Sequence, residues 1–135
     1  MNHITEIVVK TPRYEGTPMT QGVKVGNFIY LSGKTALDEN GNVVGPGDLV
    51  AQTRKCFESI RDVLALAGAS LTDIVKLTTY FTVDITDPAV TRAYWGVRQE
   101  FLGPHKPAST GLRVHSLINP ELLLEIDVVA VLPQN

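Results

Sequence analysis

Residues 48–84, "DLVAQTRKCFESIRDVLALAGASLTDIVKLTTYFTVD", join a helix pattern to a strand pattern and decide the fold class. The helix pattern is a set of apolar residues at helical spacing, namely Leu49, Cys56, Ile60, Val63, Leu64 and Ala67. Asp48 suits the N-cap and Gly68 suits the position after the last turn, which predicts a helix over about 48–67. Residues 73–84 then alternate, which predicts a strand. One face of that strand carries Val75, Leu77, Thr79, Phe81 and Val83.

Shorter patterns on either side predict the remaining elements. In chain order these are a strand over 4–10, two short strands within 22–33, a helix over about 88–101, and strands over 108–117 and 121–132. Gly26-Asn27 and Asn40-Gly41 are tight-turn signals between the early strands. Asp87-Pro88 is typical of a cap followed by proline at the first helical position.

This order of elements predicts an α+β fold, with a mixed sheet and two helices on one of its faces. No helix is then left to cover the other sheet face, although that face carries Tyr80, Leu112 and Val114. An uncovered apolar sheet face implies self-association. No internal repeat or domain boundary is visible, so we expect a single domain over residues 1–135.

Composition narrows the classes of function. Hydrophobic residues make up 44% of the 135, which is enough for a core, and the formal net charge of −2 lacks the basic surface typical of nucleic-acid binding. The apolar stretch "LLLEIDVVAVL" contains acids and is too short to span a bilayer, and the N-terminus lacks a secretory pattern, so we expect a cytoplasmic protein without membrane contact. The single cysteine, Cys56, excludes an internal disulfide, and three scattered histidines indicate no metal site.

Glu125 is the residue whose surroundings most suggest chemistry. It lies between Leu124 and Ile126 in a strongly apolar strand, where a carboxylate needs a partner, an interface or a ligand. Partial loss of water would raise its pKa toward the range useful for general acid–base catalysis near neutral pH. The alternative is a structural carboxylate that is exposed on an edge strand or paired with a cation.

A second candidate is the stretch "LSGKT", residues 31–35. Gly33 either lets a ligand approach the backbone or marks a bulge. Lys34 either holds an anion or is a solvated side chain.

Several collinear segments together resemble the Rid family, the reactive intermediate deaminases, also called the YjgF family. "TPMTQGVKVGNFIYLSGKT" (17–35) resembles the family's opening, a G-P-Y-S-Q stretch that leads to S-G-Q. "AQTRKCFESIRDVLALAGASLTDIVKLTTYFTVD" (51–84) resembles its Q-x-x-x-x-x-x-N-[IL] helix and A-G-x-[ST]-L-x-D-[IV]-V-K turn. "PAST" (107–110) and "LLLEIDVVAVL" (122–132) resemble the closing P-A-R-S and V-E-I-E-A-I-A strands.

The resemblance implies a chorismate-mutase-like fold and a homotrimer with three clefts between subunits. The better-known members hydrolyse reactive enamines and imines, such as 2-aminoacrylate, to a ketoacid and ammonia without a metal or organic cofactor. In them, the P-A-R-S arginine grips the substrate carboxylate and a glutamate on the last strand positions or activates water. The S-G-x backbone and a tyrosine of the N-terminal loop help to hold the substrate.

Residue by residue, the family's pattern carries over unevenly. Glu125 matches the glutamate and Gly33 matches the S-G-x glycine. The departures are Ser109 in place of the arginine, Met19 in place of the tyrosine and Lys34 in place of the glutamine. Two alignments of the second helix put either Arg92 or Tyr94 at the place of a pocket asparagine. Arg92 and Lys34 are therefore candidate replacement cations, whereas Arg113 shares a face with Ser109 but lies about 13 Å along the strand.

The resemblance thus predicts a divergent enzyme that keeps the acid–base residue and has lost the carboxylate clamp. We expect water addition or proton transfer on a small imine, enamine or related carbonyl compound, with weak or no 2-aminoacrylate deaminase activity. Ser109, Thr110 and the Gly33 backbone would bind a polar group of the substrate. The alternatives are a non-catalytic trimer that binds a metabolite or partner and a ribonuclease or translation inhibitor, the second of which the acidic balance disfavours.

Overall fold

The chain folds around one mixed sheet, which a computed structural model describes over residues 3–133. The predicted domain over 1–135 extends two residues beyond this part at each end. The strands are β1 (Ile4–Ile7), β2 (Gly22–Val25), β3 (Phe28–Leu31), β4 (Lys34–Thr35), β5 (Ile74–Phe81), β6 (Ala108–Arg113) and β7 (Leu124–Val131). The helices are α1 (Leu49–Leu66) and α2 (Pro88–Leu102), and a 3-10 turn spans Leu71–Asp73.

The order of strands across the sheet is β1-β2-β3-β7-β5-β6, and the short β4 also pairs with β7. Strand β6 runs parallel to β5, and the other pairings are antiparallel. The last strand of the chain therefore occupies the middle of the sheet. The predicted α+β class, with a mixed sheet and two helices, is confirmed.

Both helices begin at the caps that the sequence predicts. The Asp48 carboxylate accepts a hydrogen bond from the Ala51 N–H at 3.0 Å, and α1 ends just before Gly68, which adopts a φ of 81°. The Asp87 carboxylate accepts from the Ala89 N–H at 2.9 Å, and Pro88 opens α2. Between residues 3 and 133, neither helix is long and apolar enough to cross a membrane.

The core lies between the helices and one sheet face. Phe57, Ile60 and Leu64 of α1 are fully buried in one cluster with Leu124 and Ile126 of β7. Burial of each such side chain contributes about 1.5–3 kcal/mol to folding. Alternate residues of β7 therefore point at the helices, and the residues between them point away.

The alternation of β5 departs from the prediction at its first residues. A register shift between Ile74 and Lys76 leaves Ile74 buried and Val75 46% exposed, so the prediction that Val75 shares a face with Leu77 and Phe81 was wrong. Leu77, Thr79 and Phe81 are buried as predicted. An irregularity of one residue inverts the alternation on one side of it, which a period of two cannot reveal.

Three predicted strands are shorter than expected. The first ends at Ile7 rather than at residue 10. Strand β6 ends at Arg113 rather than at residue 117, although the Val114 N–H still donates to the Phe81 carbonyl at 2.7 Å. Strand β7 starts at Leu124 rather than at residue 121, because the preceding residues form a turn.

The sheet face opposite the helices, here called the open face, is partly apolar. Its exposed apolar residues include Phe28 and Tyr30, whose rings stack at 6.3 Å, and Leu112 at the far end. No helix within residues 3–133 covers these side chains. The predicted uncovered face is therefore present, and both its apolar patch and Glu125 point away from the core.

Candidate functional site

Glu125 is the second residue of β7 and lies on the open face. It is paired with Tyr80 of β5 on one side and Thr35 of β4 on the other, and it is half-buried. Partial burial raises the pKa of its carboxyl, and the nearby charge of Asp127 raises that pKa further, against a smaller opposing effect of Arg13. A carboxyl with a raised pKa can both donate and accept a proton closer to neutral pH.

The Glu125 carboxylate packs directly against the backbone of Gly33. A Cβ atom at Gly33 would lie 2.8 Å from both the carboxyl carbon and one carboxyl oxygen of Glu125. A side chain at residue 33 would therefore displace the carboxylate. The structure brings together the two residues that match the family's glutamate and glycine.

Asp127 and Tyr80 complete the surroundings of Glu125. The Tyr80 hydroxyl donates to the Asp127 carboxylate at 3.2 Å, and the charge of Asp127 raises the pKa of Tyr80. Gly33, Tyr80, Glu125 and Asp127 are together called the acidic half-site. Its two carboxyl groups repel each other when both are ionised, so protonation of Glu125 becomes easier.

Ser109 lies in a different place, a pocket between α2 and the sheet. In the parallel pairing of β5 and β6, Ser109 is the partner of buried Leu77, so its side chain points to the helix side. The pocket has a volume of about 260 Å³ and is here called the helix pocket. Its walls include Thr79, Phe81, Tyr94, Trp95, Arg98 and Ser109.

Arg98 is the pocket residue that the sequence reasoning missed. Its Nη2 donates to the Ser109 Oγ at 2.5 Å, and its Nη1 lies 3.5 Å from the Tyr94 hydroxyl. That hydroxyl is in turn 2.6 Å from the Thr79 Oγ1. The sequence analysis named Tyr94 as a candidate pocket residue. Arg98 follows Tyr94 by four residues, so helical spacing would have predicted Arg98 on the same helix face.

Lys34 lies in neither of these places. It pairs with Ile126, whose side chain is in the core, and it is only 3% exposed. Its ammonium donates to the carbonyl oxygen of Gln21 at 3.3 Å and to the side-chain oxygen of the same residue. Burial, and then the charge of Arg13, lower the pKa of Lys34 to about 8. The predicted anion-binding lysine is thus engaged with Gln21.

The other predicted site residues are scattered. Met19 is exposed in the N-terminal loop, and Arg92 is exposed on α2 outside the helix pocket. The Thr110 hydroxyl accepts from the Lys76 ammonium at 2.7 Å, next to Ser109 on β6. Arg113 pairs with Phe81 at the other end of β6. In the described part of the chain, no group of three or more His, Cys, Asp or Glu is placed to hold a metal ion.

The acidic half-site and the helix pocket lie on opposite faces of the sheet. Glu125 points to the open face with its partner Tyr80, whereas Ser109 points to the helix side with Leu77. One copy of the chain therefore cannot close both around the same small molecule.

Sequence comparisons agree with this arrangement of elements. The family described as Endoribonuclease L-PSP matches residues 13–132. A RutC family protein of Pyrococcus abyssi is 36% identical over 121 residues, which cover 90% of this chain and 91% of that protein. The 3-aminoacrylate deaminase RutC of Acinetobacter baylyi is 38% identical over 122 residues, which cover 86% of this chain and 92% of that protein.

Solved structures show the same fold. RidA from an Antarctic Psychrobacter species superposes with a TM-score of 0.81 at 30% identity, covering 95% of this chain and 99% of that one. Rv2704 of Mycobacterium tuberculosis, a member of the YjgF/YER057c/UK114 family, gives a TM-score of 0.79 at 27% identity, covering 96% and 100%. The chain belongs to the YjgF/Rid family.

Proposed function

We propose that the protein hydrolyses a small enamine or imine to a carbonyl compound and ammonia, with Glu125 as the residue that carries the proton. The observation that supports this most is the half-buried Glu125 carboxyl, whose pKa is raised and which lies against the bare backbone of Gly33. A carboxyl with a raised pKa serves as both proton donor and proton acceptor near neutral pH. No metal or organic cofactor takes part in the proposed reaction.

The proposed chemistry uses both protonation states of Glu125. Protonated Glu125 gives its proton to the carbon of an enamine, which becomes the iminium. The carboxylate then accepts a proton from water while the water oxygen bonds to the C=N carbon and the π electrons move to nitrogen. Glu125 returns that proton to the nitrogen. As the C–N bond breaks and C=O forms, the Glu125 carboxylate takes the hydroxyl proton and ammonia leaves, so Glu125 is again protonated. One water is consumed for each ammonia released.

We propose that the complete site forms between copies of the chain. The acidic half-site and the helix pocket face opposite sides of one sheet, and the open face carries an exposed apolar patch that includes Phe28 and Tyr30. Burial of this patch against another copy would bring the acidic half-site of one protomer toward the helix pocket of the next. A homotrimer, as the resemblance implies, is the proposed assembly.

The proposed first substrate is 3-aminoacrylate, and 2-aminoacrylate is proposed to be poor. The relative from Acinetobacter baylyi carries the name 3-aminoacrylate deaminase. Ser109 stands where the arginine of 2-aminoacrylate deaminases meets a carboxylate adjacent to the reacting carbon. A hydrogen bond to a charged group contributes about 1.5–3 kcal/mol, or about 10- to 150-fold in affinity. Loss of the arginine's contact should therefore weaken binding of 2-aminoacrylate by about that factor.

An ammonia-release assay tests the proposed reaction. Each enamine is generated in the cuvette by an auxiliary enzyme, and ammonia is followed with and without the protein. We expect the protein to accelerate release from 3-aminoacrylate well above the spontaneous rate. The acceleration with 2-aminoacrylate should be smaller by about tenfold or more. Spontaneous rates with both compounds and with other small imines would contradict the proposal and favour a non-catalytic trimer that binds a metabolite or partner.

Light scattering tests the assembly. We expect a mass of about 44 kDa, three times the 14.7 kDa chain. Tyr30→Glu places a charge in the apolar patch of the open face and should lower the mass toward one chain, because burial of an unpaired carboxylate is costly. Val50→Glu, at a similarly exposed apolar residue of α1, is the control and should keep the trimer mass. A wild-type monomer would refute the shared site.

A further inference from the structure

The helix pocket contains one cation, Arg98, in a mostly apolar setting. Phe81 and Trp95 contribute apolar surface, and Tyr94 and Ser109 contribute hydroxyls. Arg98 is half-buried, and its guanidinium is oriented by Ser109 at 2.5 Å and by Tyr94 at 3.5 Å. A hydrogen bond to Thr79 orients the Tyr94 hydroxyl, which in turn helps to orient the guanidinium.

Arg98 has no acidic partner within residues 3–133. The ion pairs of this part of the chain join Arg54 to Glu100 and Arg61 to Asp62. A guanidinium offers five N–H donors, and the hydroxyls of Ser109 and Tyr94 occupy two of its nitrogens without neutralising its charge. A half-buried, uncompensated cation with spare donors in a pocket favours an anionic ligand.

We propose that Arg98 binds the carboxylate of the substrate in the helix pocket. Its guanidinium contacts the side chain of Ser109, the residue that stands in the place of the P-A-R-S arginine. The positive charge is thus supplied from α2 instead of β6, and it lies directly beside the short side chain of residue 109. Arg92, Lys34 and Arg113, the replacements considered from the sequence, do not line this pocket.

The size and walls of the pocket limit the ligand. A volume of about 260 Å³ lies below the usual range for drug-sized ligands and suits a small organic acid. Phe81 and Trp95 favour a planar or apolar body behind the carboxylate. This assignment rests on the proposed function for the identity of the reaction, but carboxylate binding can be measured without turnover.

Benzoate binding to the full-length protein, measured by calorimetry, tests the assignment. We expect wild type to bind benzoate and Arg98→Met to bind it about 10- to 100-fold more weakly, because a charged hydrogen-bonded contact is lost. Benzamide, which is neutral, should bind both proteins equally. Arg54→Met removes an exposed arginine of α1 and should leave the benzoate affinity at the wild-type value.

A rescue variant keeps the test independent of folding defects. Ser109→Arg in the Arg98→Met background restores a guanidinium from β6, and we expect it to recover most of the benzoate affinity. Unchanged benzoate binding by Arg98→Met, or no benzoate binding by wild type, would overturn the assignment. Arginine-dependent binding with no ammonia release from any enamine would instead keep the assignment and refute the proposed reaction.

Discussion

Glu125→Gln is expected to lower turnover by about 100- to 10,000-fold, the usual contribution of a positioned general acid–base group. Glutamine has almost the same shape as glutamate, so packing against Gly33 is kept while the proton carrier is removed. The measurement is kcat for ammonia release from the substrate found active in wild type. Substrate affinity should change little, because the loss falls on the transition state.

The stability of Glu125→Gln separates a catalytic role from a structural one. The folded-state pKa of Glu125 is raised above its unfolded value of about 4.3, so the ionised residue lowers the free energy of unfolding at neutral pH. That cost is absent below the unfolded pKa and appears as the pH rises through the folded pKa. The variant should therefore be at least as stable as wild type at pH 7, with no advantage in acid below the unfolded pKa.

Asp127→Asn is the matched control for this experiment. It makes the same acid-to-amide change two residues along the same face and removes the charge that helps to raise the Glu125 pKa. We expect it to keep most of the turnover and to shift the acid limb of the pH–rate profile to lower pH. Wild-type turnover in Glu125→Gln would remove Glu125 from the mechanism.

Gln52→Leu is expected to lower the free energy of unfolding by about 2 kcal/mol. Gln52 is fully buried on α1, and its amide nitrogen donates to the carbonyls of Glu121 at 3.0 Å and Gly45 at 3.2 Å. Its amide oxygen accepts from the Leu123 N–H at 2.8 Å. Leucine keeps the volume but leaves the Glu121 carbonyl and the Leu123 N–H without a partner, at about 1 kcal/mol or more each. The Gly45 carbonyl still accepts from the Asp48 N–H at 2.9 Å.

Urea unfolding measures this effect at one fixed protein concentration, because the stability of the proposed oligomer would depend on concentration. Thr53→Val is the control. Thr53 is equally buried on the next position of α1, but its hydroxyl bonds only to the Leu49 carbonyl of the same helix, at 2.7 Å. We expect Thr53→Val to cost less than about 1 kcal/mol. Equal unfolding midpoints for the two variants would show that the hydrogen bonds from Gln52 to the turn before β7 do not stabilise the fold.

Local patterns predicted the elements of this fold because each signal lies within a few residues. The caps at Asp48 and Asp87 and the spacing of apolar residues placed both helices to within one or two residues. The bulge at Val75 was invisible because nothing in the alternation marks an irregular residue. The early end of β6 at Arg113 likewise depends on which strand lies beside it.

The acidic half-site could be predicted from the sequence better than the helix pocket could. The proximity of Gly33 and Glu125 followed from a resemblance that quotes both residues. The contact between Arg98 and Ser109 joins residues eleven apart, across the end of a helix and a turn, and depends on how α2 lies over β6. Lys34 looked available beside Gly33, but its place opposite Ile126 turns its ammonium into the protein.

The central place of β7 has a consequence for how the chain acquires its structure. Strands β3 and β5 do not pair with each other, and both pair with β7, which follows them in the chain. During synthesis the sheet therefore remains two separate parts until β7 emerges, and the contacts that join them are distant in sequence. Such long-range closure is slow and leaves apolar strand edges exposed meanwhile. A chain without residues 124–131 would lose the middle of its sheet and not merely an edge.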